Sequence, residues 1–255
     1  MLTKNELKYY SSLLKKKFRE EEKKFLVEGK KLIDEALSSE CKCEIVIVTN
    51  EFVGSEAGYV NSLRKKDIRI VQVKNPEFEK IADTVNPQGI AAVFKIEEGE
   101  DFSADNIMLA LEDVSDPGNV GTILRNCDWF GINSILLSET CADVFNPKTI
   151  RASMGSLFHL SIKRSANFIE DINLFAGDGY DILTAHLSGQ NIYKFTFPEK
   201  FVIVFANEAK GPSSELLNVS NKLINIPKFG KAESLNVANS SAVMLSEIKR
   251  QTILK

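Results

Sequence analysis

The run FVIVFA, residues 201–206, leaves few choices for how this chain folds. Six apolar residues in succession show no alternation of polar and apolar, so a strand made of them has no face to give to water. IMLALE, residues 107–112, has nearly the same character. Strands buried on both faces belong to largely parallel sheets flanked by helices. Further β-like runs, SILLSE, FHLSIKR, YDILTAH and KLINIP, follow through residues 134–227 with helical stretches between them, the order of an α/β unit. In such sheets ligands bind in loops that follow the carboxyl ends of strands.

The first hundred residues repeat the alternation in weaker form. KFLVEG, EIVIVTN, IRIVQV and GIAAVFKI read as strands, and KKLIDEAL, AGYVNSLRKK and PEFEKIADTV as helices. Residues 4–17 read as one helix, with Leu7, Tyr10, Leu13 and Leu14 on its apolar face. EEGEDFSADN, residues 97–106, is poor in apolar residues and rich in charge, which marks a boundary. The chain of 255 residues divides into domains at 1–97 and 107–255 with a linker at 98–106.

With 44% hydrophobic and 26% charged residues, the composition is that of a globular protein. No apolar run approaches the ~18 residues that a membrane span needs, and the N-terminus lacks a secretory core. Cysteines 41, 43, 127 and 141 form neither a disulfide framework nor a zinc pattern, which points to reduced thiols in a cytoplasm. His159 and His186 stand apart from any metal-ligand spacing and read as structural, so no metal is expected.

Charge is unevenly spread. The net charge is −3, yet residues 1–31 hold ten Lys or Arg against five Glu, leaving +5 there and −8 over the rest. Lys15, Lys16, Lys17 and Arg19 are the candidate phosphate contacts of this basic head; the alternative is an ordinary solvated helix.

Three strand-to-helix loops carry the chemistry. LEDVSDPGNVGTILRNCDWFGI, residues 111–132, ends a strand at Val114, turns at Pro117 and Gly118, and starts a helix. Val120, Ile123, Leu124, Cys127 and Phe130 fall on that helix's buried side, and Trp129 is expected to pack or to face a partner subunit. Asn119 and Arg125 lie off the stripe, where a cation can meet a phosphate. FVIVFANEAKGPS, residues 201–213, runs a strand into Asn207, Glu208 and Gly211, which lets the backbone approach a ligand. LINIPKFGKAESLNVANSSA, residues 223–242, leads through a polar turn with Ser234 and Asn236 into a terminal helix that starts close to Asn236. No dinucleotide or P-loop glycine fingerprint occurs, which counts against a dinucleotide or NTP site.

These motifs, D-P-x-N-x-G-x-x-x-R, then N-E-x-x-G after a strand, then I-P-x-x-G-x-x-x-S-L-N-V-A, resemble those of the SpoU-class (TrmH-like) 2′-O-ribose RNA methyltransferases of the SPOUT superfamily, in the family's order. The first hundred residues look like that family's appended L30e-like substrate-binding domain. The resemblance implies an α/β domain with a mainly parallel sheet and a deep trefoil knot, beside the smaller L30e-like α/β domain. It implies S-adenosylmethionine as methyl donor and a ribose 2′-hydroxyl of RNA as acceptor, with ribosomal RNA favoured over tRNA. Carried over, the catalytic set is Asn119, Arg125, Glu208, Ser234 and Asn236, with Asn119 and Glu208 fixing Arg125, and Arg125 acting as activator of the hydroxyl or as a phosphate clamp. The cofactor set is Thr184, Ala185, Ala206, Asn207, Gly211, Ile226 and Leu235; many relatives have Gly where Ala206 stands. A homodimer is implied, with residues 237–252 burying apolar surface between chains. The rival reading is a non-catalytic RNA-binding assembly factor that keeps the fold.

Overall fold

The computed structural model describes residues 2–96 and 102–253, so residues 98–101 of the expected linker lie outside the described residues. The chain folds as two units, Met1–Glu100 with Asp143–Phe158, and Asp101–Ala142 with His159–Lys255.

In the first unit, α1 (Lys4–Ser12), α2 (Lys16–Glu22), β1 (Lys24–Glu28), α3 (Lys30–Ser38), β2 (Cys43–Thr49), α4 (Asn50–Ser55), α5 (Ala57–Lys65), β3 (Ile70–Val73), α6 (Asn75–Phe78) and β4 (Ile90–Lys95) follow in order. The sheet runs β1-β4-β2-β3, antiparallel except for the parallel pair β2 and β3. Leu26, Ile45, Ile47, Ala91 and Val93 share a buried cluster with Tyr10, Leu13 and Phe78. The stretch expected to be helical at PEFEKIADTV contributes only to the one turn of α6.

The helix expected over 4–17 stops at Ser12, and a second begins at Lys16. Arg19 explains part of the break. Its side chain is 2% exposed, donates from Nη1 to the Leu13 carbonyl at 2.8 Å, and pairs through Nη2 and Nε with Asp143 Oδ2 at 2.6 and 2.9 Å. A buried guanidinium held by a carboxylate cannot also meet RNA. Arg19 is therefore withdrawn from the phosphate-binding set, whereas Lys15, Lys16 and Lys17 are exposed. Among the described residues Lys16 and Lys17 pair only with Glu20 and Glu21 one helical turn on, an arrangement worth about a few tenths of a kcal/mol.

The second unit contains β5 (Ile107–Glu112), α7 (Pro117–Trp129), β6 (Ser134–Ser138), β7 (Ser161–Ser165), α9 (Phe168–Gly177), β8 (Asp181–Asn191), β9 (Phe201–Ala206), α10 (Ser214–Val219), β10 (Lys222–Asn225) and α11 (Val237–Ile253). Its six strands run β10-β8-β9-β5-β6-β7, every neighbouring pair parallel. Central β5 aligns Leu109 with Ile203 of β9 and with Ile135 of β6, and all three are fully buried. The expectation of strands buried on both faces thus holds where it was drawn.

Helix α8 (Pro147–Ser153) lies in the segment that departs from the expected division. Residues 143–158 fall in the second domain by sequence but pack with the first unit. Phe145 and Phe158 stack on Phe25 at centroid distances of 4.5 and 6.0 Å, and Arg151 pairs with Asp83 at 2.7 Å. Local periodicity carries no information about such long-range partners.

Strands β8 and β10 pair irregularly. Leu223 aligns with Thr184, but the next residue, Ile224, aligns with Gln190. Gly189 sits in the intervening stretch, and a Cβ built there would stand 2.5 Å from Ile224 N and from the Leu223 carbonyl carbon. The obstacle is backbone, so no rotamer relieves it. Gly189→Ala is expected to destabilise the second unit by about 1–3 kcal/mol or more, seen as a lower melting temperature; an unchanged melt would contradict the packing described.

Candidate functional site

Because all six strands are parallel, the ends of β8, β9 and β10 and the loops after them lie along one edge of the sheet. The loops after β9 and β10, with the middle of β8 at Ala185, His186 and Leu187, enclose a cleft of about 780 Å³, a size suited to a small organic ligand. Ala185, Ala206, Asn207, Gly211, Ile226 and Leu235 of the expected cofactor set all line it, as do Glu208 and Ser234. Thr184 does not. Its side chain is fully buried and its hydroxyl shares a 2.7 Å hydrogen bond with that of Ser220, so its role is to pack the strands behind the cleft.

The loop after β9 is fixed from within. Asn207 Oδ1 accepts from the backbone N–H groups of Ala209 and Lys210 at 2.9 and 3.1 Å, and its Nδ2 donates to the Asp113 carbonyl at 3.0 Å. Gly211, at φ +70°, closes the turn in the left-handed region that favours glycine. Glu112, at the end of β5, accepts from the Ser213 backbone N–H at 2.9 Å and from the Ser213 hydroxyl at 2.5 Å. This anchor carries no sequence signature, because it joins residues a hundred positions apart. His186 and Met244 also line the cleft. His186 was read as merely structural, although its place near the end of a parallel-sheet strand run was the available clue; its Nδ1 lies 2.8 Å from the Ser188 hydroxyl.

Beside the cleft, three residues from three motifs close on one another. Asn236 Nδ2 donates to Glu208 Oε1 at 2.7 Å and to Asn119 Oδ1 at 3.0 Å, and Asn119 Nδ2 donates to Glu208 Oε2 at 3.3 Å. Glu208 Oε1 also accepts from the Val237 backbone N–H at 2.7 Å, and Asn236 Oδ1 accepts from those of Ala238 and Asn239 at 3.0 and 3.3 Å. A carboxylate and an amide thus cap the first turn of α11, where the helix dipole favours negative charge. The polar turn before α11 is both a cap and a clasp between loops.

Arg125 and Ser234 are exposed, and among the described residues neither has a hydrogen-bond or ion-pair partner. Asn119 and Glu208 were expected to fix Arg125; they hold Asn236 instead. Arg125 is placed by its helix. Asp116 caps α7 by accepting from the Asn119 N–H at 2.9 Å, and Asn126 Nδ2 donates to the Ala238 carbonyl and the Ser241 hydroxyl of α11, each at 3.0 Å. The buried stripe of α7 holds Val120, Ile123, Leu124 and Cys127 as expected, while Phe130, expected with them, caps the helix end and is half-buried; burial raises the Cys127 thiol far above its ordinary value. Trp129, by contrast, does not pack within the chain: it is 82% exposed. Among the described residues no group of three or more His, Cys, Asp or Glu is placed to hold a metal ion, and no helix is long and apolar enough to cross a membrane.

Glu208→Gln tests the clasp. Losing the charge at the start of α11 is expected to cost about 1–2 kcal/mol, lowering the melting temperature of the second unit by about 2–8 °C. A melt unaffected by the substitution would mean that the clasp contributes nothing to the fold.

Comparison with known proteins places this geometry. Residues 106–246 match the SpoU rRNA Methylase family, and residues 4–92 match the MRM3-like substrate binding domain. The chain is 31% identical over 244 residues to the 23S rRNA (guanosine-2′-O)-methyltransferase RlmP of Bacillus subtilis, with 95% of each chain covered. Among solved structures, a putative RNA methyltransferase of the TrmH family from Porphyromonas gingivalis superposes with a TM-score of 0.87 at 34% identity, covering 98% of this chain and 99% of that one. An AdoMet-bound rRNA methyltransferase from Sinorhizobium meliloti superposes with a TM-score of 0.83 at 29% identity, covering 100% and 97%. With its parallel sheet, strand-end cleft and the three motifs that frame it, the chain belongs to the SpoU rRNA methylase family.

Proposed function

We propose that this protein transfers a methyl group from S-adenosylmethionine to a ribose 2′-hydroxyl of ribosomal RNA. The observation that carries the reading is the cleft between the middle of β8 and the ends of β9 and β10, lined by residues of the second and third motifs and flanked by the Asn119, Glu208 and Asn236 clasp. Its volume fits the cofactor, and its wall offers Ile226 and Leu235 to a flat base, with the loop at Ala206, Asn207 and Gly211 alongside. Ala206, where many relatives have Gly, lines the cleft without closing it. When bound, S-adenosylmethionine supplies an electrophilic methyl group on a sulfonium.

The chain's own residues must hold the ribose and offset the cost of removing the hydroxyl proton. Arg125 is the group for this task, since its guanidinium has no internal partner to satisfy. A guanidinium stays protonated in nearly all settings, so the role that suits it is to clamp the adjacent phosphate and stabilise charge developing on the 2′ oxygen. Ser234, on the cleft wall, orients the same ribose or phosphate, whereas Asn236, expected beside it in that role, is committed to the clasp. Support for ribosomal RNA as substrate comes from the target in the RlmP name and from the match of residues 4–92 to a substrate binding domain. Within that domain, spanning 1–97 in this reading, the exposed Lys15, Lys16 and Lys17 supply phosphate contacts.

Two structural parts of the reading go with the family. The irregular pairing of β8 and β10 around Gly189 is assigned to the knot region, supported by the register jump and the backbone proximity there. A homodimer forms through the second unit with Trp129 as an apolar anchor, and sedimentation at twice the chain mass checks it. The apolar residues Val237, Ala238, Met244, Leu245 and Ile248 of α11 are already buried within the chain, so they are not the dimer surface expected of that helix.

Arg125→Ala is expected to abolish methyl transfer to ribosomal RNA while calorimetric affinity for S-adenosylmethionine stays within about twofold; normal turnover would refute the assignment. Charge reversal of Lys15, Lys16 and Lys17 together is expected to weaken RNA binding and flatten its salt dependence without changing cofactor affinity. Unchanged RNA affinity would return these lysines to a solvated helix face.

A further inference from the structure

The loop between β10 and α11 holds a residue that neither the fold nor the clasp uses. Phe229 is 95% exposed, although it lines the cleft together with its neighbours Pro227, Lys228 and Gly230. A phenyl ring left in water forgoes most of the burial free energy available to it. Among the described residues, no hydrogen bond involves any of residues 227–235, and a Cβ added at Gly230 would meet nothing within 4 Å. The loop tip stands clear of the rest of its unit, with the ring at its end.

Of the two carboxylates that line the cleft, Glu208 is committed to the clasp, which leaves Glu233 against the lysines near the ring. Lys228 and Lys231 flank it in sequence and Lys210 lines the same cleft, and among the described residues none of the three has a carboxylate partner. Glu233 is the one carboxylate in residues 226–236. An exposed aromatic ring between unpaired lysines suits single-stranded nucleic acid, in which a base offers a flat face and the neighbouring phosphates offer negative charge. An apolar protein partner would leave those lysines uncompensated.

We propose that Phe229 stacks on an unpaired base next to the methylated ribose, with Lys228 and Lys231 on the flanking phosphates. Phe229 is thereby a positioning residue for the substrate strand. This rests on the RNA reading above and deepens it by naming the structural class of substrate: the strand around the target must be unpaired, since a base held in a duplex has no face free for the ring.

The test places a reporter at the tip. Phe229→Trp in a Trp129→Phe background leaves a single tryptophan, whose emission is read while a 12-residue oligoadenylate, or an abasic ribose-phosphate oligomer of equal charge, is added at low salt. Quenching by the oligoadenylate and not by the abasic oligomer is expected. Equal response to both, or to neither, overturns the stacking assignment. Quenching by S-adenosylmethionine alone assigns the ring to the cofactor, and a change on raising protein concentration alone assigns it to a second copy; either overturns the proposal. In the methylation assay Phe229→Ala is expected to raise the RNA KM about tenfold with kcat nearly unchanged, and Phe229→Tyr is expected to restore it. The emission result does not need turnover, so a reporter variant that quenches as expected, beside wild-type protein that methylates no RNA, would refute the enzymatic reading and leave the stacking contact standing.

Discussion

Parallel pairing of six strands is the constraint on which the second unit depends. It forces each strand to return through a crossover and gathers the carboxyl ends on one edge. With β5 and β9 buried on both faces, none of their side chains is free to form a polar site within the sheet. Function is left to the loops and helices that follow the strands: most of the cleft lies in the loops after β9 and β10, and Arg125 in α7, the helix after β5. The hydrogen bonds from Ser213 to the Glu112 carboxylate and from Asn207 to the Asp113 carbonyl show how this is made rigid, since each ties the loop after one strand to the end of its neighbour.

The clasp and the catalytic candidates divide the polar residues into two kinds. Asn119, Glu208 and Asn236 satisfy one another and the first turn of α11, so their present work is to hold three loops in register. Arg125 and Ser234 keep their hydrogen-bonding capacity unspent, as groups awaiting a substrate would. A pre-positioned frame around uncommitted donors offsets in advance the cost of ordering the site. The proposed role of Phe229 follows the same logic, with an apolar group left unsatisfied in place of a polar one.

Much of this was legible in the sequence because the relevant signals are local. FVIVFA and IMLALE announced two-sided burial, the stripe of α7 predicted which face packs, and the start of α11 at Val237 followed from the spacing after Asn236. Long-range partners were not legible. Arg19 looked like one more lysine-neighbour cation until Asp143, distant in sequence, proved to hold it. The excursion of residues 143–158 to the first unit depends on aromatic stacking with Phe25, which no periodicity encodes. Thr184 failed for a subtler reason: strand side chains alternate in direction, so a residue at the right depth can point away from the cleft that its neighbour Ala185 lines.

The central claim is that the cleft and Arg125 together methylate a ribose in ribosomal RNA. Its most direct test is transfer of radiolabelled methyl from S-adenosylmethionine to total RNA of a strain lacking this gene, followed by nuclease mapping and alkaline cleavage. The account predicts label in one fragment of ribosomal RNA, at a linkage that resists alkali because its 2′ oxygen is blocked. Absence of label from all RNA, with no calorimetric binding of S-adenosylmethionine, would contradict it and leave a non-catalytic RNA-binding protein built on the same fold.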